Sequence, residues 1–364
     1  MTTIFIKGLG LIGSSLIRAI REQYPDFKII GSDTEKRTCS YALNHKLINQ
    51  ANIDLNGTEI ADFIILTTPV TTIIRDLHRL ADMPLKKNVI ITDVGSSKQE
   101  VLKAASALQK RGVVFIGGHP MAGSHKTGIV AGRSDLFENA FYFLVKTKAT
   151  NAECLKLQNL LQGSKPKWLL ISAKEHDQLV GQISHLPHII ASALVNQTQK
   201  FFADSPLGMR MAAGGFKSIT RIASSDPTMW SSILESNSKI IVQQIQQYIV
   251  ELNNIKRAIE NNDHAQIFSF FESAKNSRDK IGLKKVGQLP DFFDLFINIS
   301  DQVGTIADIA QILAVNNINL VNIHILEIRE DIDGILQLTF TYKKDRVQAE
   351  KILSQKHYAI LRSN

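Results

Sequence analysis

The chain of 364 residues contains only two cysteines, Cys39 and Cys154. Two thiols cannot build a disulfide framework, so the expectation is a reducing compartment, the cytoplasm. No apolar run approaches the roughly 18 residues of a membrane span, and no membrane partner is expected. Strand-like sequence begins at Thr3, without the charged and then apolar regions of a signal peptide. Motifs for several chemistries are missing as well. There is no H-E-x-x-H and no cysteine pair to supply a metal site, so no metal is expected. There is no G-x-S-x-G elbow, and neither cysteine lies in a histidine-rich motif, which leaves nucleophilic catalysis without support.

What is present is ordinary for a globular protein, with 44% hydrophobic and 21% charged residues. The formal net charge is +8, from 42 Lys and Arg against 34 Asp and Glu. Residues 1–289 hold 35 basic and 24 acidic residues, and the remainder holds 7 and 10. A nucleic-acid groove needs a basic cluster or an aromatic-basic stripe. Here only pairs such as Lys86-Lys87 and Lys284-Lys285 stand together, so no nucleic-acid partner is expected. A solvated surface with a bias toward small anions fits better.

The first third alternates apolar runs with amphipathic stretches. Thr3–Ile6, Lys28–Gly31, Phe63–Leu66, Asn88–Ile91 and Val113–Ile116 read as strands buried on both faces. Ser14–Gln23, Val70–Leu80 and Ser97–Lys110 read as helices between them. This order predicts parallel pairing in an α/β Rossmann-type doubly wound sheet, closed by Phe141–Lys146 and Trp168–Ile171. Beyond Ala173 the periodicity is helical over Glu175–Phe202, Thr228–Asn253 and Asp263–Ile281. Pro187 deprives the Ile183 carbonyl of its partner and predicts a kink. Ile233, Ile240, Ile241, Ile245, Tyr248, Ile249 and Leu252 form one apolar stripe, read as core and subunit seam together. Gly282–Pro290 reads as a linker. The remainder, with strands Phe293–Ser300, Val321–Arg329, Gly334–Tyr342 and Tyr358–Leu361 and helices Thr305–Val315 and Arg346–Gln355, has the βαββαβ order of a ferredoxin-like unit. Three domains are expected: a cofactor domain over 1–172, an all-helical domain over 173–282 and a C-terminal ferredoxin-like domain over 291–364.

Gly8-Leu9-Gly10-Leu11-Ile12-Gly13 follows a strand and opens a helix. In a G-x-G-x-x-G, Gly8 permits the tight turn, Gly10 admits a pyrophosphate and Gly13 lets helix and strand pack closely. The free N–H groups at Leu11 and Ile12 and the positive end of the helix would hold the phosphates. Asp33, twenty residues on, can accept from a ribose 2′-hydroxyl and would repel a 2′-phosphate. The cofactor expected is therefore NAD. Asp93–Lys98 and Gly117–Gly123 fall at strand carboxyl ends, where doubly wound sheets bind ligands. His119, in the second of these, suits a general base. In the helical half His176, His185 and His188 fall close together, and Arg221 is suited to gripping a carboxylate bidentately.

Together Gly8–Gly13, Asp93–Lys98, Gly118–Gly123, Ser184–His188 and Gly214–Ala223 with Met229-Trp230 resemble the prephenate dehydrogenase family, collinearly over residues 1–281. The tail from about Phe292 resembles an ACT domain. The resemblance implies NAD-dependent oxidative decarboxylation of prephenate, with tyrosine as an effector at the tail and a homodimer through the helical half. It implies that His119 accepts the hydroxyl proton and that Ser96 hydrogen-bonds within the same constellation. It puts Arg221 and His188 on the substrate, with His185, His176 and Trp230 in or near the pocket. Two positions depart from the family pattern. Ser124-His125 and Ser218 stand where acids are common, so a more positive pocket is expected.

Overall fold

The structure is a computed structural model that describes residues 1–123, 126–145, 147–203, 211–280, 293–299, 302–325, 334–340, 342–356 and 358–361. The chain forms two compact units, Met1–Lys256 and Arg257–Asn364.

The first unit opens with β1 (Thr3–Lys7), α1 (Leu11–Gln23), β2 (Lys28–Ser32), α2 (Lys36–Asn44) and β3 (Gln50–Asn52). β4 (Phe63–Leu66), α3 (Val70–Asp82), β5 (Ile90–Asp93), α4 (Gln99–Lys110) and β6 (Val114–Pro120) follow. These six strands lie in the order β3-β2-β1-β4-β5-β6, all parallel. β3 is a short edge strand that periodicity did not signal. Burial on both faces explains the apolar runs. Ile4 and Ile6 of β1 pack in a cluster with Leu16, Ile17 and Ile20 of α1, while Phe5 packs on the other face with Leu77 of α3 and Leu108 of α4. Each such side chain taken fully from water contributes about 1.5–3 kcal/mol.

β7 (Phe141–Val145), α5 (Asn151–Leu160) and β8 (Lys167–Leu170) extend the sheet. The parallel expectation fails at one joint, because β7 runs antiparallel to β6. Among the described residues that connection holds only a short 3₁₀ turn at Ile129–Ala131 in place of a crossover helix, so the chain returns in the opposite direction. α5 does cross over, and β8 is parallel to β7. Lys146, the expected end of the β7 strand, lies outside the described residues.

Helices follow. α6 (Ala173–Val180) starts with a capping box, in which Ser172 Oγ accepts from the Glu175 N–H and the Glu175 carboxylate accepts from the Ser172 N–H. The kink expected at Pro187 takes the form of a π-helical turn, Gly181–His185, after which α7 (Leu186–Phe201) begins with the proline in its first turn. α8 (Gly214–Thr220), α9 (Pro227–Ser236) and α10 (Ser238–Glu260) complete the run. The single helix expected over Thr228–Asn253 is two helices. Asn237 leaves helical geometry at φ −121°, and its amide donates to the Asp177 carbonyl at 3.0 Å. The stripe divides accordingly: Ile233 and Ile241 are buried, whereas Ile249 and Leu252 are exposed.

The second unit contains α11 (His264–Lys280), β9 (Phe293–Ile299), α12 (Thr305–Val315), β10 (Asn322–Ile325), β11 (Gly334–Phe340), α13 (Lys343–Gln355) and β12 (Ala359–Leu361). Its sheet is antiparallel in the order β10-β11-β9-β12. Alternate residues of β9 and β11, among them Leu295, Ile297, Leu336 and Leu338, meet Ile309, Leu313, Ala349 and Leu353 of the two following helices. The expected linker Gly282–Pro290 and the far end of the expected strand Val321–Arg329 lie outside the described residues. Among the described residues no helix is long and apolar enough to cross a membrane.

Candidate active site

The carboxyl ends of β1, β4, β5 and β6 face the helical run of the first unit, and the functional side chains gather there. The glycine loop shows three different local needs. Gly8 has φ +96°, and a Cβ on it would lie 2.8 Å from the Thr67 carbonyl carbon and oxygen. A Cβ on Gly13 would lie 2.0 Å from the Gly8 carbonyl oxygen, so no side chain fits between α1 and the loop. Gly10 is open, with nothing within 4 Å of its ideal Cβ position. Gly10 caps α1 without a side-chain hydrogen bond, so the first-turn N–H groups at Leu11 and Ile12 lack a side-chain cap. Asp33, just past β2, accepts from the Leu9 N–H at 2.7 Å and the Glu35 N–H at 2.9 Å. Asp33 is thereby fixed to the glycine loop. A crevice of this form fits a dinucleotide: open at Gly10, closed at Gly8 and Gly13, with an acid at its far side.

His119 stands near the end of β6, half-buried, and His176 of α6 is fully buried behind it. Nδ1 of His119 lies 2.8 Å from Nε2 of His176, and Nδ1 of His176 lies 2.8 Å from Oδ1 of Asp177. Burial, then the neighbouring His176, Lys98 and His185, hold the His119 imidazole well below its ordinary pKa. His176 is also lowered, burial outweighing the Asp177 hydrogen bond. Burial pushes the Asp177 carboxyl up, but donation from His176, Gln99 and Lys98 outweighs this, and it stays below the usual carboxylate range.

Gly118, directly before His119, is held by a buried ion pair. Lys98 Nζ donates to Asp93 and to the Gly118 carbonyl oxygen, the latter at 2.7 Å, and both charged side chains are fully buried. Asp93 in turn accepts from the Gly95 and Gly118 N–H groups. Removing one member of such a pair costs about 3–5 kcal/mol. Asp93 and Lys98 lie inside a motif that the sequence singled out, yet its pattern gave no sign that they were buried together.

A second group faces the same end. His188 stacks on Trp230 with ring centroids 3.7 Å apart, and His185 meets the same indole edge-on at 5.9 Å. His188 Nδ1 donates to the Ser184 carbonyl at 2.8 Å. Its pKa is lowered by burial and by the charge of Arg221, which is itself exposed at the turn after α8. His185 is buried and pushed down to about 4, chiefly by burial. The Asn237 amide reaches its Nδ1 at 3.3 Å. The Trp230 indole N–H is buried with no partner among the described residues.

Of the residues read from sequence, His119, His176, His185, His188, Trp230 and Arg221 form one continuous neighbourhood. Two of the residues read from sequence stand apart in burial and bonding. His176 has no surface to offer a substrate, and its hydrogen bonds place it behind His119. The Ser96 hydroxyl, half-buried in the loop after β5, bonds to none of the described residues, because that loop is held instead through the backbone N–H groups of Gly95 and Lys98. Ser218 lies in α8, and His125 lies outside the described residues. Asp177 and Asn237 escaped sequence reading, although an acid directly after one of three clustered histidines was a usable signal. Among the described residues no group of three or more His, Cys, Asp or Glu side chains is placed to hold a metal ion.

Residues 16–170 match the model of the prephenate dehydrogenase nucleotide-binding domain, and residues 172–273 match that of the prephenate dehydrogenase dimerization domain. A prephenate dehydrogenase of Bacillus subtilis is 41% identical over 353 residues, which is 96% of this chain and 95% of that protein. The chain belongs to the prephenate dehydrogenase family. Among solved structures, prephenate dehydrogenase from Aquifex aeolicus in complex with hydroxyphenyl propionate and NAD+ is 29% identical with a TM-score of 0.67, covering 77% of this chain and 98% of that one. Synechocystis arogenate dehydrogenase is 30% identical with a TM-score of 0.67, covering 77% and 100%. The family match takes in most of the sheet and the helical run that follows it.

Proposed function

We propose that the protein is an NAD-dependent prephenate dehydrogenase, forming 4-hydroxyphenylpyruvate, CO2 and NADH on the route to tyrosine. The observation that carries the reading is His119, near a strand carboxyl end in the same sheet as the glycine loop, with a second histidine and a carboxylate directly behind it. NAD+ held by Gly8, Gly10, Leu11, Ile12, Gly13 and Asp33 supplies the hydride acceptor. Nε2 of His119 takes the proton of the substrate 4-hydroxyl, and Ser96 donates to the same oxygen. Arg221 holds a carboxylate, with His188 and Trp230 framing the ring. CO2 leaves as the ring becomes aromatic, so the protein's task is to position C4 and remove one proton. His176 and His185 support this arrangement from behind.

A homodimer through the helical half agrees with the dimerization-domain match and with the exposed Phe201, Val242, Ile249 and Leu252. The tail serves as an ACT domain responsive to tyrosine, a reading supported by its βαββαβ order and antiparallel sheet. The two reduced cysteines agree with a cytoplasmic enzyme. The division into 1–172, 173–282 and 291–364 is retained as a functional one. Measuring NADH formation with prephenate and with arogenate, each with and without tyrosine, tests the whole reading. Turnover of prephenate, inhibited by tyrosine, is expected. Turnover of arogenate alone would overturn the substrate, and tyrosine insensitivity would overturn the role of the tail.

A further inference from the structure

Resting on the reading that His119 takes the proton, we infer that Asp177 is a positioning residue, acting through His176 to fix which nitrogen of His119 is free to accept. Donors and acceptors alternate along a buried row. An ionised carboxylate can only accept. At 2.8 Å from Asp177, Nδ1 of His176 therefore carries the hydrogen. A neutral imidazole has a single N–H, so Nε2 of His176 presents a lone pair. At 2.8 Å from that lone pair, Nδ1 of His119 must be the donor. Nε2 of His119 is left unprotonated, the form a general base requires.

The carboxylate at the head of the row cannot turn away. Its Oδ1 also accepts from the Lys98 N–H at 2.7 Å, and its Oδ2 accepts from the Gln99 N–H at 2.9 Å and the Gln99 side-chain amide at 3.2 Å. The same row answers the charge that forms on reaction. The substrate O–H bond breaks and an N–H bond forms at Nε2 of His119. The Nδ1 hydrogen of the resulting imidazolium is then shared with Nε2 of His176, whose own Nδ1 hydrogen faces the carboxylate. Lys98, before α4, and His185, in the π-helical turn, oppose protonation of His119. His176 faces Asp177, Lys98 and Asp93. Asp93 is engaged by Lys98, so Asp177 is the acid that answers His176 directly.

The test is Asp177→Asn in the full-length chain. An amide oxygen in the Oδ2 place keeps the Gln99 N–H groups, while an amide nitrogen in the Oδ1 place gives up the Lys98 N–H, donates to His176 and reverses both tautomers. The kcat with prephenate is expected to fall at least about 100-fold, with KM and NAD+ affinity within about threefold of native. In a His119→Asn background the same substitution should cost no more than about twofold further, since its effect runs through a base already removed. Nitrogen chemical shifts of 15N-labelled histidine in the native chain should show Nε2 of His119 unprotonated. A protonated Nε2, a single variant within threefold of native kcat, or losses that multiply in the double variant would each overturn the inference. If the variant loses NAD+ binding through misfolding, the native shifts still decide. If the native chain fails to oxidise prephenate, the functional reading falls, while the shifts still report whether the row exists.

Discussion

The two sides of the candidate site are built by opposite means. The cofactor crevice consists largely of missing side chains: two glycines that allow backbone to approach backbone and a third that leaves room. The substrate side consists of bulky titratable side chains pressed together and largely removed from water, with His176 and His185 fully buried. The first therefore depends mainly on shape, while the second depends on which nitrogens carry hydrogens.

Substitutions sharpen the contrast, the largest effect first. Gly13→Ala puts a methyl 2.0 Å from a carbonyl oxygen and should cost roughly 3 kcal/mol, seen as a drop of roughly 10 °C in Tm. Gly10→Ala has open space to enter and should cost under about 1 kcal/mol, yet weaken NAD+ in a titration. Equal losses of stability in the two variants would break the shape argument. On the histidine side, His119, His176, His185 and His188 are all held below their ordinary pKa. In the unfolded chain they take up protons as the pH falls below about 6.5, whereas in the folded state they stay neutral. Stability is thus complete above that pH and is lost as the pH drops toward the folded values. His185, at about 4, should alone account for about 2 kcal/mol at pH 5. Denaturant titrations at pH 7.5 and pH 5 check the sign, and equal stability at both would contradict it. Arg221→Ala, at an exposed position, should raise KM for prephenate roughly 10-fold, about 1.4 kcal/mol, with kcat little changed. A fall in kcat alone would assign the guanidinium to the transition state instead.

The same contrast decides what could be read from sequence. Gly8, Gly10, Gly13 and Asp33 act within one βαβ unit, where spacing along the chain is spacing in the structure. Parallel pairing followed from the same local rule, which missed the short edge strand β3 and failed at β7, where a loop replaced the crossover helix. The substrate side was legible as a set of residues but not as an arrangement. His119 and His176 are 57 residues apart and Asp177 holds an amide 79 residues away, distances over which periodicity carries no information. Asn237 interrupts a helix that the apolar stripe continues, because its amide is engaged by α6 and His185. Burial of the Lys98–Asp93 pair likewise depends on the packing of β5 against β6, which composition does not reveal.

The central claim is that His119 performs the proton transfer while the glycine crevice independently holds the cofactor. The most direct test is His119→Asn, with NADH formation from prephenate and NAD+ affinity measured on the same preparation. The account predicts a loss of at least about 100-fold in kcat with NAD+ affinity unchanged. Turnover near the native rate, or loss of both together, would contradict it.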